Sequence, residues 1–364
     1  MKNDDLSKII ARFELKAKAT IYGEGHINDT YLAQVDPNKY ILQRINHDIF
    51  KDVEKLMQNI AAVTSHLHEK ILLRGGDPMR ETLSVIKTAD GAYFTETESG
   101  NYYRLYVYVD DTNTYQSVQS PTLFYNAAKA FGKFQNDLSD FQADVLTETI
   151  PNFHNTRSRF EDLRRAVSED KAGRKAEVAQ EIAFAMAREA EAGIVCNALE
   201  SGEIPLRVTH NDTKLNNVLF DKETGEGICV IDLDTVMPGS LLYDFGDSVR
   251  FGASTAAEDE KDLSKVECSM ELFEAFTKGF LEELGESITK KELELLAFSA
   301  KLMTYECGMR FLTDYLNGDI YFKTHRPKQN LDRCRTQFKL IEDMEKKMAR
   351  MNAIVGELSA ECRK

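Results

Sequence analysis

The sequence predicts an α+β protein in two lobes, a small antiparallel sheet-plus-helix lobe followed by a larger, mostly helical one. Three observations carry this expectation. The chain has 364 residues, too many for one ordinary core. Its first hundred residues alternate short β-type runs with turn signals. From Pro121 onward, apolar residues recur at helical spacing over long stretches.

The elements follow in order. Thr20-Ile21-Tyr22 leads into the glycine turn Gly23-Glu24-Gly25-His26-Ile27-Asn28, and Tyr31-Leu32-Ala33-Gln34-Val35 leads out, giving strand, turn, strand. A third strand is Tyr40-Ile41-Leu42-Gln43-Arg44-Ile45, followed by a helix over 52–70 in which Val53, Leu56, Met57, Ile60, Val63 and Leu67 share one apolar face. Further β-type runs lie at 83–88, 93–96 and 102–109. Helices are expected at about 122–138, 155–166, 173–200, 258–284, 289–315 and 329–352. One insertion interrupts them, where 217–220 and 228–231 flank the turn Asp221-Lys222-Glu223-Thr224-Gly225 as a hairpin. No linker or repeat is present, so the lobes are assigned to 1–110 and 111–364.

Sixty acidic against 46 basic residues give a net charge of −14, which argues against nucleic acid as a partner. No run of eighteen apolar residues offers a membrane span, and the acidic start MKNDDLSKII does not read as a signal peptide, so a cytoplasmic protein is expected. The six cysteines stand at least 27 positions apart, which leaves no CxxC pair and suggests reduced thiols used as packing.

The chemistry is concentrated in Thr209-His210-Asn211-Asp212-Thr213-Lys214-Leu215-Asn216-Asn217, followed fifteen residues after Asn217 by Asp232 in Val230-Ile231-Asp232-Leu233-Asp234. A kinase needs a carboxylate to receive the acceptor's proton, and an Asn and an Asp as hard oxygen ligands for Mg²⁺ on ATP phosphates. Asp212 suits the first role, and Asn217 with Asp232 the second. Taken singly, each of these residues also reads as an ordinary polar turn. Asp234 points either to the metal shell or to solvent, and His210 is expected to orient the loop by hydrogen bonding.

These segments resemble the catalytic loop and metal-binding strand of the aminoglycoside phosphotransferase and choline kinase superfamily. The closer similarity is to the bacterial N-acetylhexosamine 1-kinase family, through 210–220, 230–239, Tyr243-Asp244-Phe245-Gly246-Asp247 and 305–316, and it extends from residue 23 to about 338. The resemblance implies a bilobal protein-kinase-like fold and transfer of the γ-phosphoryl of Mg-ATP to the anomeric hydroxyl of N-acetylglucosamine or N-acetylgalactosamine. It also implies that Asp244 braces the catalytic loop. The alternatives are a kinase for choline, an aminoglycoside or homoserine, or a nucleotide-binding pseudokinase.

On the nucleotide side, Gly23 and Gly25 let backbone N–H groups approach phosphate, with Asn28 at the third position of an incomplete GxGxxG. The third strand carries Gln43-Arg44 where kinases place a lysine. Strand alternation turns only one of the two inward, and its charge favours Arg44, with Asp52 or Glu54 as partner. Tyrosines in the 102–109 strand read as packing. For the acceptor, Glu306, Arg310 and Asp314 fall on one helical face, either as an exposed charge ladder or as a polar cleft wall. The resemblance selects Arg310, with Tyr315 beside it and Asp212 at the hydroxyl. The segment His154-Asn155-Thr156-Arg157 also matches the subfamily without an assigned role.

Overall fold

A computed structural model describes residues 4–23 and 28–362. Gly25, in the glycine turn, lies outside the described residues. After a short helix α1 (Leu6–Ala11), the chain forms β1 (Lys18–Ile21), β2 (Asp29–Val35) and β3 (Asn38–Ile45), then the long helix α2 (Val53–Leu73) and the single turn α3 (Pro78–Glu81). Strands β4 (Val85–Ile86), β5 (Thr95–Glu96) and β6 (Tyr102–Val107) complete an antiparallel sheet ordered β1-β2-β3-β6-β4, with β5 on the far end of β6. The register sets Gln43 opposite Arg104 and Arg44 opposite Tyr103.

Helix α2 starts where the sequence places it, because the Asp52 carboxylate accepts from Lys55 N (3.0 Å) as an N-cap. Its apolar face joins the sheet to the rest of the molecule. Asn59 donates to the carbonyls of Thr147 (2.7 Å) and Val236 (3.0 Å) and accepts from Thr147 N (2.9 Å), so this helix is stitched to the helical part by hydrogen bonds as well as by its core.

The remainder is mostly helical. After β7 (Thr112–Asn113) come α4 (Pro121–Asp137), capped by Ser120, then α5 (Thr156–Glu169), α6 (Ala179–Met186) and α7 (Ile194–Glu200). The single helix expected over 173–200 is broken into short pieces. Separate residues, Val178, Ala185, Ala192 and Val195, are buried as the chain bends. Next are β8 (Arg207–Thr209), β9 (Val218–Asp221), β10 (Gly227–Val230) and β11 (Met237–Gly239). The expected hairpin is β9–β10, with β7 on its outer edge, while β8 pairs with β11.

Helices α8 (Leu241–Gly252), α9 (Met270–Leu284), α10 (Lys290–Asn317) and α11 (Gln329–Cys362) close the fold. Helix α9 begins at its Ser269 cap, twelve residues later than expected. Helix α10 begins in a capping box, Thr289 and Glu292 each bonding the other's backbone N–H. Phe245 at the centre of α8 packs on Phe273, Phe276 and Phe280 of α9, which fixes the helix that supports the loop between β8 and β9. All six cysteines are free thiols. Among the described residues no helix is long and apolar enough to cross a membrane.

Candidate active site

The loop between β8 and β9 is held from beneath by one buried carboxylate. Asp244 accepts from the backbone N–H of His210 (2.9 Å) and Asn211 (2.8 Å) and from Gln135 Nε2 (2.6 Å), while Thr213 Oγ1 donates to the Asp244 carbonyl (2.6 Å). Burial pushes this carboxyl up, and those donors work against the rise. His210 donates from Nε2 to the Ile231 carbonyl (2.9 Å) and accepts from Asp212 N at Nδ1 (3.2 Å), so the ring ties the loop to the strand that delivers Asp232. Two residues of the site adopt left-handed backbone, Asn211 (φ 66°) and Asp232 (φ 60°). Asn and Asp tolerate this conformation better than other non-glycine residues.

The loop gathers Asp212, Asn217 and Asp232. Asn217 Nδ2 donates to the Asp212 carbonyl (2.8 Å) and reaches Asp212 Oδ2 at 3.3 Å, which leaves its amide oxygen for a cation. Asp212 Oδ1 pairs with Lys214 Nζ (2.8 Å). Burial would lower the Lys214 ammonium, but Asp212 and Asp247 hold it above its ordinary value. Asp232 is pushed up to about 7, first by burial and then by the charges of Asp234 and Asp212. An excess of negative charge facing an amide oxygen is what a hard divalent cation fits. Among the described residues no three His, Cys, Asp or Glu side chains form a cage of their own. Such a cation would therefore rest on one carboxylate, one amide and the ligand's oxygens, the usual arrangement for Mg²⁺.

The face of the sheet toward these carboxylates differs from expectation. Arg44 turns to the opposite face, where Nε donates to Asp29 (2.7 Å) and Nη1 to Asn101 (3.2 Å); Asp52 caps α2, and Glu54 accepts from Gln58 (3.3 Å). Gln43 is the residue that faces inward. Its Oε1 accepts from Arg104 Nε (3.0 Å) and Nη2 (2.8 Å), and Arg104 Nη1 pairs with Asp234 Oδ1. Asn28 completes the knot, donating to Asp234 Oδ2 (2.6 Å) and accepting from Asn46 N (2.9 Å). Asp234 is thus engaged at both carboxylate oxygens, by Arg104 and by Asn28, and is buried rather than solvated. Gly23 stands in the turn after β1 at φ 70°, a conformation that favours glycine.

Comparison with known proteins bears on this geometry. Residues 18–267 match the model of the phosphotransferase enzyme family. The chain belongs to this family. Its fold is similar to that of a microcompartment-associated aminopropanol kinase, with TM-score 0.60 and 14% identity over 95% of this chain and 98% of that one. An aminoglycoside phosphotransferase from Alicyclobacillus acidocaldarius gives 0.58 and 14% over 98% and 95%. A spectinomycin phosphotransferase solved with ADP and spectinomycin gives 0.55 and 15% over 100% and 99%. The protein is therefore a phosphotransferase with a protein-kinase-like fold.

In this phosphotransferase a cavity of about 330 Å³ opens between α5 and α10, lined among others by Arg159, Arg310, Thr313 and Tyr321. The charge ladder on α10 is resolved into three different roles. Glu306 is buried against His154 and Thr156, and Asp314 accepts from the N–H groups of Ile320, Tyr321 and Phe322 (2.8–3.0 Å). Arg310 between them lies against three aromatic rings, Phe153, Phe322 and Tyr321, at 5.3, 5.5 and 6.0 Å from their centroids. No acceptor engages its guanidinium among the described residues. Thr313 Oγ1 is buried beside the same cavity with no partner.

Tyr315 is placed elsewhere. It is 1% exposed in the packing beneath α10, its hydroxyl donating to Glu177 (2.9 Å) and its ring covered by Arg174. Tyr321 takes the place at the cavity, because the left-handed Gly318 ends α10 and returns the chain. Sequence reasoning missed Arg104, Lys214 and Tyr321. Only Lys214, two residues after Asp212 inside the motif, left a local signal.

Proposed function

We propose that the protein transfers the γ-phosphoryl group of ATP to the anomeric hydroxyl of an N-acetylhexosamine, N-acetylglucosamine or N-acetylgalactosamine. In this reading residues 1–110 form the nucleotide lobe and 111–364 the acceptor lobe. Asp212 orients the sugar hydroxyl and takes its proton as the oxygen attacks phosphorus and the bond to ADP breaks. Lys214 lies beside Asp212 and meets the negative charge that develops on the transferring group. Asn217 and Asp232 would hold Mg²⁺, which supplies charge neutralisation across the β- and γ-phosphates. The turn at Gly23 and Gly25 restrains the phosphates, and Arg104 with Gln43 supplies the positive field that the missing third-strand lysine would have given. A pseudokinase is disfavoured for that reason.

The observation that carries the choice of acceptor is the cavity between α5 and α10, whose Arg310 stands one turn from Glu306, the residue that His154 links to the Asn211 carbonyl. Its acids are committed: Asp162 to Arg165 and Arg159, Glu169 to Lys171 (3.0 Å), and Asp314 to backbone and Asn330 (2.8 Å). Its open group is the Arg310 guanidinium. The Arg159 guanidinium is held below its ordinary value by burial and by the charge of Arg310, a site that repels another cation. Choline or an aminoglycoside would add positive charge there. A neutral, oxygen-rich sugar offers the acceptors that Arg310 lacks, and its ring packs on Tyr321 and Phe322.

The test is ATP consumption by the purified protein with N-acetylhexosamines, free hexoses, choline and aminoglycosides, followed by ³¹P NMR of the product. Turnover that depends on an N-acetylhexosamine and leaves phosphate on the anomeric carbon supports the reading. Preference for a cationic acceptor overturns it.

A further inference from the structure

The segment 153–157 lies between the acceptor cavity and the catalytic loop, and its histidine is placed for more than packing. His154 is buried, with Nδ1 at 2.7 Å from Glu306 Oε1 and Nε2 at 3.1 Å from the Asn211 carbonyl oxygen. A carbonyl oxygen only accepts. Glu306 Oε2 already accepts from the Thr156 hydroxyl (2.6 Å), and the Arg310 guanidinium lies one turn on along α10, both of which favour the carboxylate. Both ring nitrogens therefore face acceptors. A neutral imidazole carries one N–H and would set its other lone pair against an oxygen lone pair.

We propose that His154 is a doubly donating imidazolium that positions the catalytic loop, fixing the carbonyl before Asp212 to the helix that carries Arg310. The inference rests on the acceptor reading above in placing Asp212 and Arg310 on one substrate. The carbonyl it holds belongs to the left-handed Asn211, whose side chain donates to Thr235 O (2.8 Å) and whose N–H is on Asp244, so His154 supplies the tether for its carbonyl. The facing groups suit a cation. From α10 comes the Glu306 carboxylate with the Arg310 charge one turn on; from α8 come the Tyr243 ring at 5.4 Å and the Asp247 carboxylate, which pairs with Arg250 (2.9 Å). Glu306 and Arg310 are four residues apart on α10, so the arrangement couples the place where the sugar is held to the position of the base.

Two isosteric variants separate the two bonds. The amide of Gln mimics Nε2 and keeps donation to Asn211, whereas Asn mimics Nδ1 and keeps only the bond to Glu306. His154→Asn is expected to lower kcat about 10²-fold with KM for ATP unchanged, the scale of a misplaced reacting group, and His154→Gln to recover most of that loss. Equal kcat values for the two folded variants overturn the positioning role, as does a loss confined to KM. ADP affinity and thermal unfolding establish that each variant is folded. In the wild-type protein, ¹⁵N-histidine NMR, assigned by the signals lost in His154→Gln, should show a directly bonded proton on both ring nitrogens. One unprotonated nitrogen overturns the imidazolium. That spectrum needs no acceptor, so it decides the His154 inference even if no N-acetylhexosamine is phosphorylated.

Discussion

Arg104 on β6 and Asp234, two residues past Asp232, form an ion pair whose side chains are only 1% and 4% exposed, and it joins the sheet to the helical body. The pair is nested in hydrogen bonds from Gln43 and Asn28. A buried pair of this kind contributes little net stability, because desolvation offsets most of the attraction, but removing one partner strands the other. Arg104→Met should therefore cost ~3–5 kcal/mol in thermal or urea unfolding. It should also weaken ATP binding, since it deletes a guanidinium that faces Asp232 and Asp234. Arg104→Lys should rescue neither fully, because an ammonium cannot serve Gln43 and Asp234 in the fixed fork of a guanidinium. Wild-type nucleotide affinity in either variant would count against this role.

That Asp212, Asn217 and Asp232 come together was legible in the sequence because they flank one short hairpin, and spacing around a hairpin is local information. Arg104 was not. Its role depends on the register of β3 with β6, which pairs residues about sixty positions apart, and alternation alone said that Gln43 or Arg44 points inward without saying which. Tyr315 failed for a related reason. One residue is about 100° of helix, enough to turn it from the Arg310 face into the core, and the aromatic that reaches the cavity lies beyond a glycine-terminated helix. The fold class was readable from composition and periodicity, whereas the breaks within 173–200 depend on where the chain must bend to cover α10 and α11.

Asp212→Ala should abolish turnover while leaving ATP affinity within a few-fold of wild type. Asp232→Ala should do the reverse first, removing the Mg²⁺ dependence of nucleotide binding. Without metal, Asp232→Asn should unfold no earlier than wild type, because it relieves a carboxylate that burial, Asp234 and Asp212 all disfavour. Isothermal titration with and without Mg²⁺, alongside single-turnover assays, separates the two residues. Equal nucleotide affinity in the Asp232 variants and wild type would remove Asp232 from the metal site.

Glu81 predicts the acid response of the junction between α3 and α4. Burial would raise its carboxyl, but Lys133 (2.7 Å), Arg74 (2.5 Å) and the N–H of Asp77 (2.8 Å) bring it down to about 2. The ordinary value is 4.5, so its stabilisation is fully present above pH 4.5 and is lost as the pH falls toward 2. Glu81→Gln should cost about 1–2 kcal/mol at neutral pH once solvent screening is allowed for. The gap to wild type should close below pH 4.5. A gap that stays constant from pH 7 to pH 3 would show that packing, not charge, is what Glu81 supplies.

Gly246 tests how far the site depends on helix packing remote from the chemistry. A Cβ there would stand 2.6 Å from Met303 Cγ and closer still to the Ser299 carbonyl oxygen of α10. The side chain of Met303 can move, but the carbonyl belongs to a buried helix backbone and cannot. Gly246→Ala should therefore push α8 away from α10 at a cost of about 1–3 kcal/mol, the usual scale for overpacking. Helix α8 carries both Asp244 beneath the catalytic loop and Asp247 beside Lys214, so kcat should fall with stability. Gly356→Ala in α11 is the matched control: nothing lies within 4 Å of its added Cβ, and removing an exposed mid-helix glycine should stabilise the protein by about 0.5–1 kcal/mol. Opposite shifts in melting temperature for the two variants, with kcat changed only by the first, would assign the effect to the α8–α10 approach; a neutral Gly246→Ala would show that this packing has slack the geometry does not suggest.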